Sequence, residues 1–103
     1  MKFHLLATVS TNDAAAIFPK LKEYFGEGGT VEPVGAVDPS SRSKGEFRVE
    51  AVMVGENSKE LNRVLLSTLR KVEKKTRLRA AWSSGGIVEQ YFDYVLKKRA
   101  SDK

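Results

Sequence analysis

The chain has no cysteine and a single histidine, His4, among its 103 residues. Without thiols there is no disulfide, no zinc–thiolate site and no cysteine nucleophile. A Ser-His-Asp triad would have to recruit His4, close to the N-terminus, and no G-x-S-x-G elbow accompanies it. Gly26-Glu-Gly-Gly29 superficially suggests a phosphate loop, but neither G-x-x-x-x-G-K-[ST] nor G-x-G-x-x-G surrounds it, so it reads as a turn. Acidic residues occur singly along strands and helices, which gives no paired acid/base and no metal-ligand pattern. The chain reads as a non-enzyme without metal or cofactor. Long apolar runs are missing too: none approaches the ~18 residues a membrane span needs. Met1–Ser10 is too short, and too interrupted by Lys2 and His4, to act as a signal peptide. A soluble, cytoplasmic protein with no membrane partner is the expectation.

Positive charge is plentiful and unevenly placed. Eighteen Lys/Arg against thirteen Asp/Glu give a net +5. Residues 1–56 hold six cations and eight anions, whereas residues 57–103 hold twelve and five. A polyanionic partner would therefore meet the C-terminal half first. At this length one domain is expected, spanning residues 1–99 with a frayed tail over 100–103.

Lys2–Ser10 alternates Phe3, Leu5, Ala7 and Val9 against His4, Leu6 and Thr8, the period of a strand with one apolar face. Ser10 followed by Asp13 reads as an N-cap with an acidic N3 residue, opening a helix that runs to Phe25 and kinks or restarts near Pro19. Gly26 stops it. Thr30–Val37 reads as a second strand, with Pro33 and Gly35 pointing to an edge or a bulge. Residues 38–45 form a polar loop carrying Arg42 and Lys44. Glu46–Val54 is a strand that sets Phe47, Val49, Ala51 and Met53 against Arg48, Glu50 and Val52. Asn57 and Glu60 make an N-x-x-E cap for a helix with the stripe Leu61, Val64, Leu65, Thr68, Leu69 and Val72. Asn62, Arg63, Arg70 and Lys74 fall on its opposite side. Arg77–Trp82 returns to strand period, Ser83–Gly86 is a turn, and Ile87–Arg99 reads as a final helix through Val88, Tyr91, Phe92, Val95 and Leu96. The fold class is α+β: a four-stranded antiparallel sheet in β-α-β-β-α-β order, ferredoxin-like or similar, with an additional C-terminal helix. The sheet's second face is then solvated, covered by that helix, or used for binding.

Arg77 and Arg79 share one strand face about 7 Å apart, a spacing suited to neighbouring phosphates of a single strand. Arg48 extends that face if the two strands are neighbours, and Arg42 and Lys44 can close over it from the loop. For any one of these cations an ordinary solvated charge is an equally good reading; as a group they favour a ligand surface. Trp82, by parity, falls with Leu78 and Ala80, so a core position competes with a stacking platform. Tyr91 and Phe92 read as core or dimer residues.

The Gly45–Trp82 run, GEFRVEAVMVGENSKELNRVLLSTLRKVEKKTRLRAAW, resembles the ThermoDBP-related single-stranded DNA-binding proteins of thermophilic archaea. That resemblance implies a sheet-and-helix domain, not an OB-fold, holding single-stranded DNA in an apolar cleft bordered by basic residues, often as a dimer. The matching positions are Phe47, Arg48, Arg77, Arg79 and Trp82. The sustained C-terminal heptad repeat of a zipper dimer is missing. Sequence-tolerant binding of single-stranded DNA follows as the leading expectation. The rivals are RNA binding and a ferredoxin-like interaction module, a homodimer through the C-terminal helix.

Overall fold

The period-two apolar pattern of the first strand organises the molecule. In the computed structural model, which describes residues 1–34 and 43–93, β1 (Lys2–Thr11) is the central strand of a five-stranded antiparallel sheet. Phe3, Leu5, Ala7, Val9 and Thr11 are buried against a helical layer, and the intervening residues form the other face. After β1 come α1 (Ala14–Phe25), a single 3₁₀ turn (Gly26–Gly28), β2 (Gly29–Pro33), β3 (Gly45–Val54), α2 (Ser58–Val72), β4 (Arg77–Ser84) and β5 (Ile87–Phe92). The strand order is β2-β3-β1-β4-β5. The α+β class stands, but the sheet has five strands, not four.

The fifth strand replaces the expected C-terminal helix over Ile87–Phe92. Gly85 and Gly86 both lie in the left-handed region, at φ 59° and 84°, the two-residue turn that reverses a chain between twisted strands. Ile87 is thereby set opposite Ser84, and pairing runs on to Phe92 opposite Arg79. The Val88, Tyr91 and Phe92 spacing fits a helix, but the same six residues alternate equally well, and β-branched Ile87 and Val88 favour the strand. The rest of the expected helix and the tail, residues 94–103, lie outside the described residues.

At the other end, β1 runs to Thr11, so the first helix is capped by Asp13 and not by Ser10. The Asp13 carboxylate accepts from the Ala16 amide at 3.2 Å. Helix α1 continues through Pro19, which stays on the exposed side. Strand β2 is an edge strand ending at Pro33, where the missing amide costs no central ladder bond. At its start, Gly29 is hemmed in: a Cβ would lie 2.9 Å from Phe25 Cβ and 3.0 Å from Ala51 Cβ.

Helix α2 opens at Asn57, whose Oδ1 accepts from the Glu60 amide at 2.8 Å. The face it buries is rotated from the expected stripe. Ser58, Asn62, Leu65, Leu66 and Leu69 are buried, whereas Val64 and Val72 are exposed. The rotation follows from Trp82, 1% exposed, whose indole Nε1–H donates to Oδ1 of the fully buried Asn62 at 3.0 Å. Phe3 meets the same indole edge to face, centroids 6.5 Å apart. A buried amide here satisfies a buried N–H that an aliphatic residue would leave unpaired.

The α2–β4 connection is tied to the end of β1 through Glu73. Its carboxylate accepts from the Lys75 amide (2.9 Å), the Asn12 amide (3.0 Å) and Thr11 Oγ1 (3.2 Å). These bonds, led by the two amides, hold its pKa below the ordinary carboxylate value despite some loss of solvent.

Two outcomes follow. Asn62→Leu should destabilise the fold by about 1–3 kcal/mol, the cost of an unpaired buried donor, and pairing it with Trp82→Phe should be less than additive; urea titrations of the two single variants and the double variant measure this. Because the Glu73 pKa is depressed on folding, its contribution is present above the unfolded-state pKa and disappears as pH falls through the folded value. Glu73→Gln should therefore be less stable than the native chain at neutral pH, and the gap between them should close in acid.

Candidate nucleic-acid interface

The helices cover one side of the sheet, so the residues that alternate with the core make up an open face. Register across the strands arranges them in rows. One row reads Glu32, Arg48, Thr8, Arg79 and Phe92 from β2 to β5. The next reads Thr30, Glu50, Leu6, Ala81 and Gln90. Beyond it lie Val52, His4, Ser83 and Val88. On the other flank of the first row, Glu46, Ser10 and Arg77 stand side by side.

Arg48 and Arg79 are thus two interstrand spacings apart, about 9–10 Å, with Thr8 between them. A shallow depression of about 240 Å³ lies there, lined by Leu6, Ala7, Thr8 and the two arginines. Both arginines are exposed, and among the described residues neither is engaged by a carboxylate or a hydrogen bond. Arg77, one row along, is differently placed: its guanidinium holds Asp93 through Nε (3.0 Å) and Nη2 (2.9 Å). Burial alone would raise the Asp93 pKa, but the Leu78 amide at 2.8 Å and the Arg77 guanidinium outweigh it and hold the carboxyl below its usual range. Arg77 serves the end of β5 before it can serve a ligand.

Lys44 and Arg77 do meet at one end of the sheet. With Ser10, Asn12, Glu46 and Lys75 they line a cavity of about 410 Å³. Arg42 lies outside the described residues. Phe47 and Trp82 are not on this surface at all. Both are buried on the helix side, Phe47 stacked on Phe18 with centroids 5.2 Å apart and Trp82 bonded to Asn62. The positions carried over by resemblance therefore divide, Arg48, Arg77 and Arg79 going to the open face and the two aromatics to the core.

The aromatic on the open face is Phe92, 66% exposed and directly opposite Arg79. The helix-compatible spacing of Val88, Tyr91 and Phe92 masks this exposure in the sequence. The signal that could have shown it is the Gly85-Gly86 pair followed by strict alternation of Val88, Gln90 and Phe92 against Ile87, Glu89 and Tyr91. Leu6, Val52 and Val88 add exposed apolar surface on the same face, while Glu50 is bonded to His4 at 3.0 Å. The face thus combines a pair of available guanidiniums, an exposed ring and an apolar floor, a set suited to phosphates and base faces.

Among the described residues no group of three or more His, Cys, Asp or Glu side chains could hold a metal ion, and no helix is long and apolar enough to cross a membrane. No family model, curated protein or solved structure matches this chain.

Proposed function

We propose that the open sheet face binds single-stranded DNA with little dependence on base sequence. The observation that carries this reading is the row in which exposed Arg48 and Arg79, engaged by no carboxylate among the described residues, flank Thr8, with the Phe92 ring beside Arg79. Two guanidiniums fixed by strand parity offer phosphate contacts without reading sequence. Phe92 supplies a π-face that any base can use, and Leu6, Ala81 and Val52 supply an apolar floor for unstacked bases. Duplex bases are already stacked on one another and cannot use such a floor. The likeness of Gly45–Trp82 to ThermoDBP-related proteins points to the same chemistry through its arginines, with Phe47 and Trp82 supporting the sheet from below. The exposed apolar residues alone would also suit a protein partner; the arginine pair favours nucleic acid.

Fluorescence anisotropy with labelled single-stranded DNA, duplex DNA and RNA over a salt series tests the proposal. Single-stranded DNA should bind most tightly, and affinity should fall as salt rises. Arg48→Ala with Arg79→Ala should flatten the logarithmic salt dependence by about 1.4, from roughly 0.7 per phosphate contact on a single strand. Phe92→Ala should weaken binding about tenfold, within the ~1–3 kcal/mol of a stacked base. Lys59→Ala, on the exposed side of α2, should leave binding unchanged. No single-strand binding at low salt would overturn the proposal, and tighter binding of RNA would reassign the ligand.

A further inference from the structure

The two edges of the sheet are built differently. β2 is five residues long, ends in Pro33 and carries Glu32, features that discourage another strand from adding to it. β5, Ile87–Phe92, has no proline, glycine or lysine, and its only charged residue, Glu89, accepts a hydrogen bond from Ser58 Oγ on the helix side. Ile87, Val88 and Phe92 are all largely exposed. An edge of this composition is a template for another strand.

The geometry points to a second copy of this chain as that strand, paired antiparallel, β5 to β5, about a two-fold axis through Gln90. The Asp93 amide donates inward to the Leu78 carbonyl at 2.7 Å. By antiparallel alternation the backbone groups of Ile87, Glu89 and Tyr91 also face β4, and those of Val88, Gln90 and Phe92 face outward. Centring the pair on Gln90 sets these outward groups against one another: Gln90 against Gln90 of the second copy, and Val88 against Phe92 of the second copy. The latter is a β-branched–aromatic pair on the open face, a favourable cross-strand combination. On the helix side Glu89 then meets Tyr91 of the second copy.

Other registers are worse. A one-residue slip would set open-face side chains against helix-face side chains. Centring on Glu89 places that carboxylate directly opposite its own copy, and centring on Tyr91 sets Glu89 against Asp93; both juxtapose like charges. A two-fold axis perpendicular to the sheet keeps both open faces on the same side. The dimer is then a ten-stranded platform with a Val88–Phe92 seam, and it forms whether or not nucleic acid binds.

Sedimentation of the nucleic-acid-free protein, combined with cysteine cross-linking, tests this. The native chain should sediment as a dimer at micromolar concentration. Gln90→Pro should sediment as a monomer with a native circular-dichroism spectrum, because the amide it removes faces outward and the β4–β5 ladder survives. In this cysteine-free chain, Gln90→Cys should form a disulfide-linked dimer under mild oxidation, since hydrogen-bonded antiparallel partners place their Cα atoms about 5.5 Å apart. Glu89→Cys should not. A monomeric native chain, a dimeric Gln90→Pro, or cross-linking through Glu89→Cys in place of Gln90→Cys would overturn the proposal.

Discussion

Everything on the open face of this molecule depends on the alternation of one central strand. β1 lies between β3 and β4, and its inward set of Phe3, Leu5, Ala7 and Val9 is buried to 5% exposure or less. A slip of one residue in either pairing would turn those side chains to solvent, so burial locks the register on both sides. The locked register is what brings Arg48 and Arg79, thirty-one positions apart in sequence, to either side of Thr8. Among the described residues neither arginine is positioned by a partner of its own. The hydrophobic effect acting on the opposite face places them, which leaves their charges available.

The helical layer is specified by polar contacts as much as by apolar ones. Leu65, Leu66 and Leu69 could pack on the sheet over a range of rotations; the Trp82–Asn62 hydrogen bond and the Ser58 contacts to Glu89 and Tyr91 select one. Buried donors and acceptors are directional where leucines are not. The same contacts hold β5 from beneath, through Glu89 and Tyr91, so the strand that carries Phe92 is fixed on its inner side by the helix that Trp82 orients. Buried support and open face are thus separate sets of residues on the same strands.

How much of this was legible depended on whether a residue's role could be read from period alone. β3 and the Asn57 cap could, because the alternation over Glu46–Val54 and an N-x-x-E pattern each point to one structure, which the strand Gly45–Val54 and the Asn57–Glu60 bond match. The common face of Arg77 and Arg79, and the core parity of Trp82, followed from the same period. The alternation that put Phe47 with Val49 and Ala51 already argued against its carry-over as a ligand contact. Two places resisted. Over Ile87–Phe92 the apolar spacing satisfies both helix and strand, and only the Gly85-Gly86 turn decides. In α2, periodicity placed Asn62 toward solvent because it is polar; a hydrogen bond to a residue twenty positions away is a tertiary fact that no helical wheel contains.

The strand order also fixes a sequence of events. β4 and β5 are joined by two glycines and can zip as soon as both exist, with little loop entropy to overcome. β1 precedes the other described elements, yet its second neighbour, β4, comes near their end, and β1 cannot be sealed on both sides until Arg77–Ser84 has emerged. Throughout that interval an apolar strand waits with one pairing edge open. The residues that finally close it, Leu78, Ala80 and Trp82, belong to the strand that also delivers Arg79, so on the growing chain the sealing of β1 and the placing of the second arginine of the Arg48–Thr8–Arg79 row are one step.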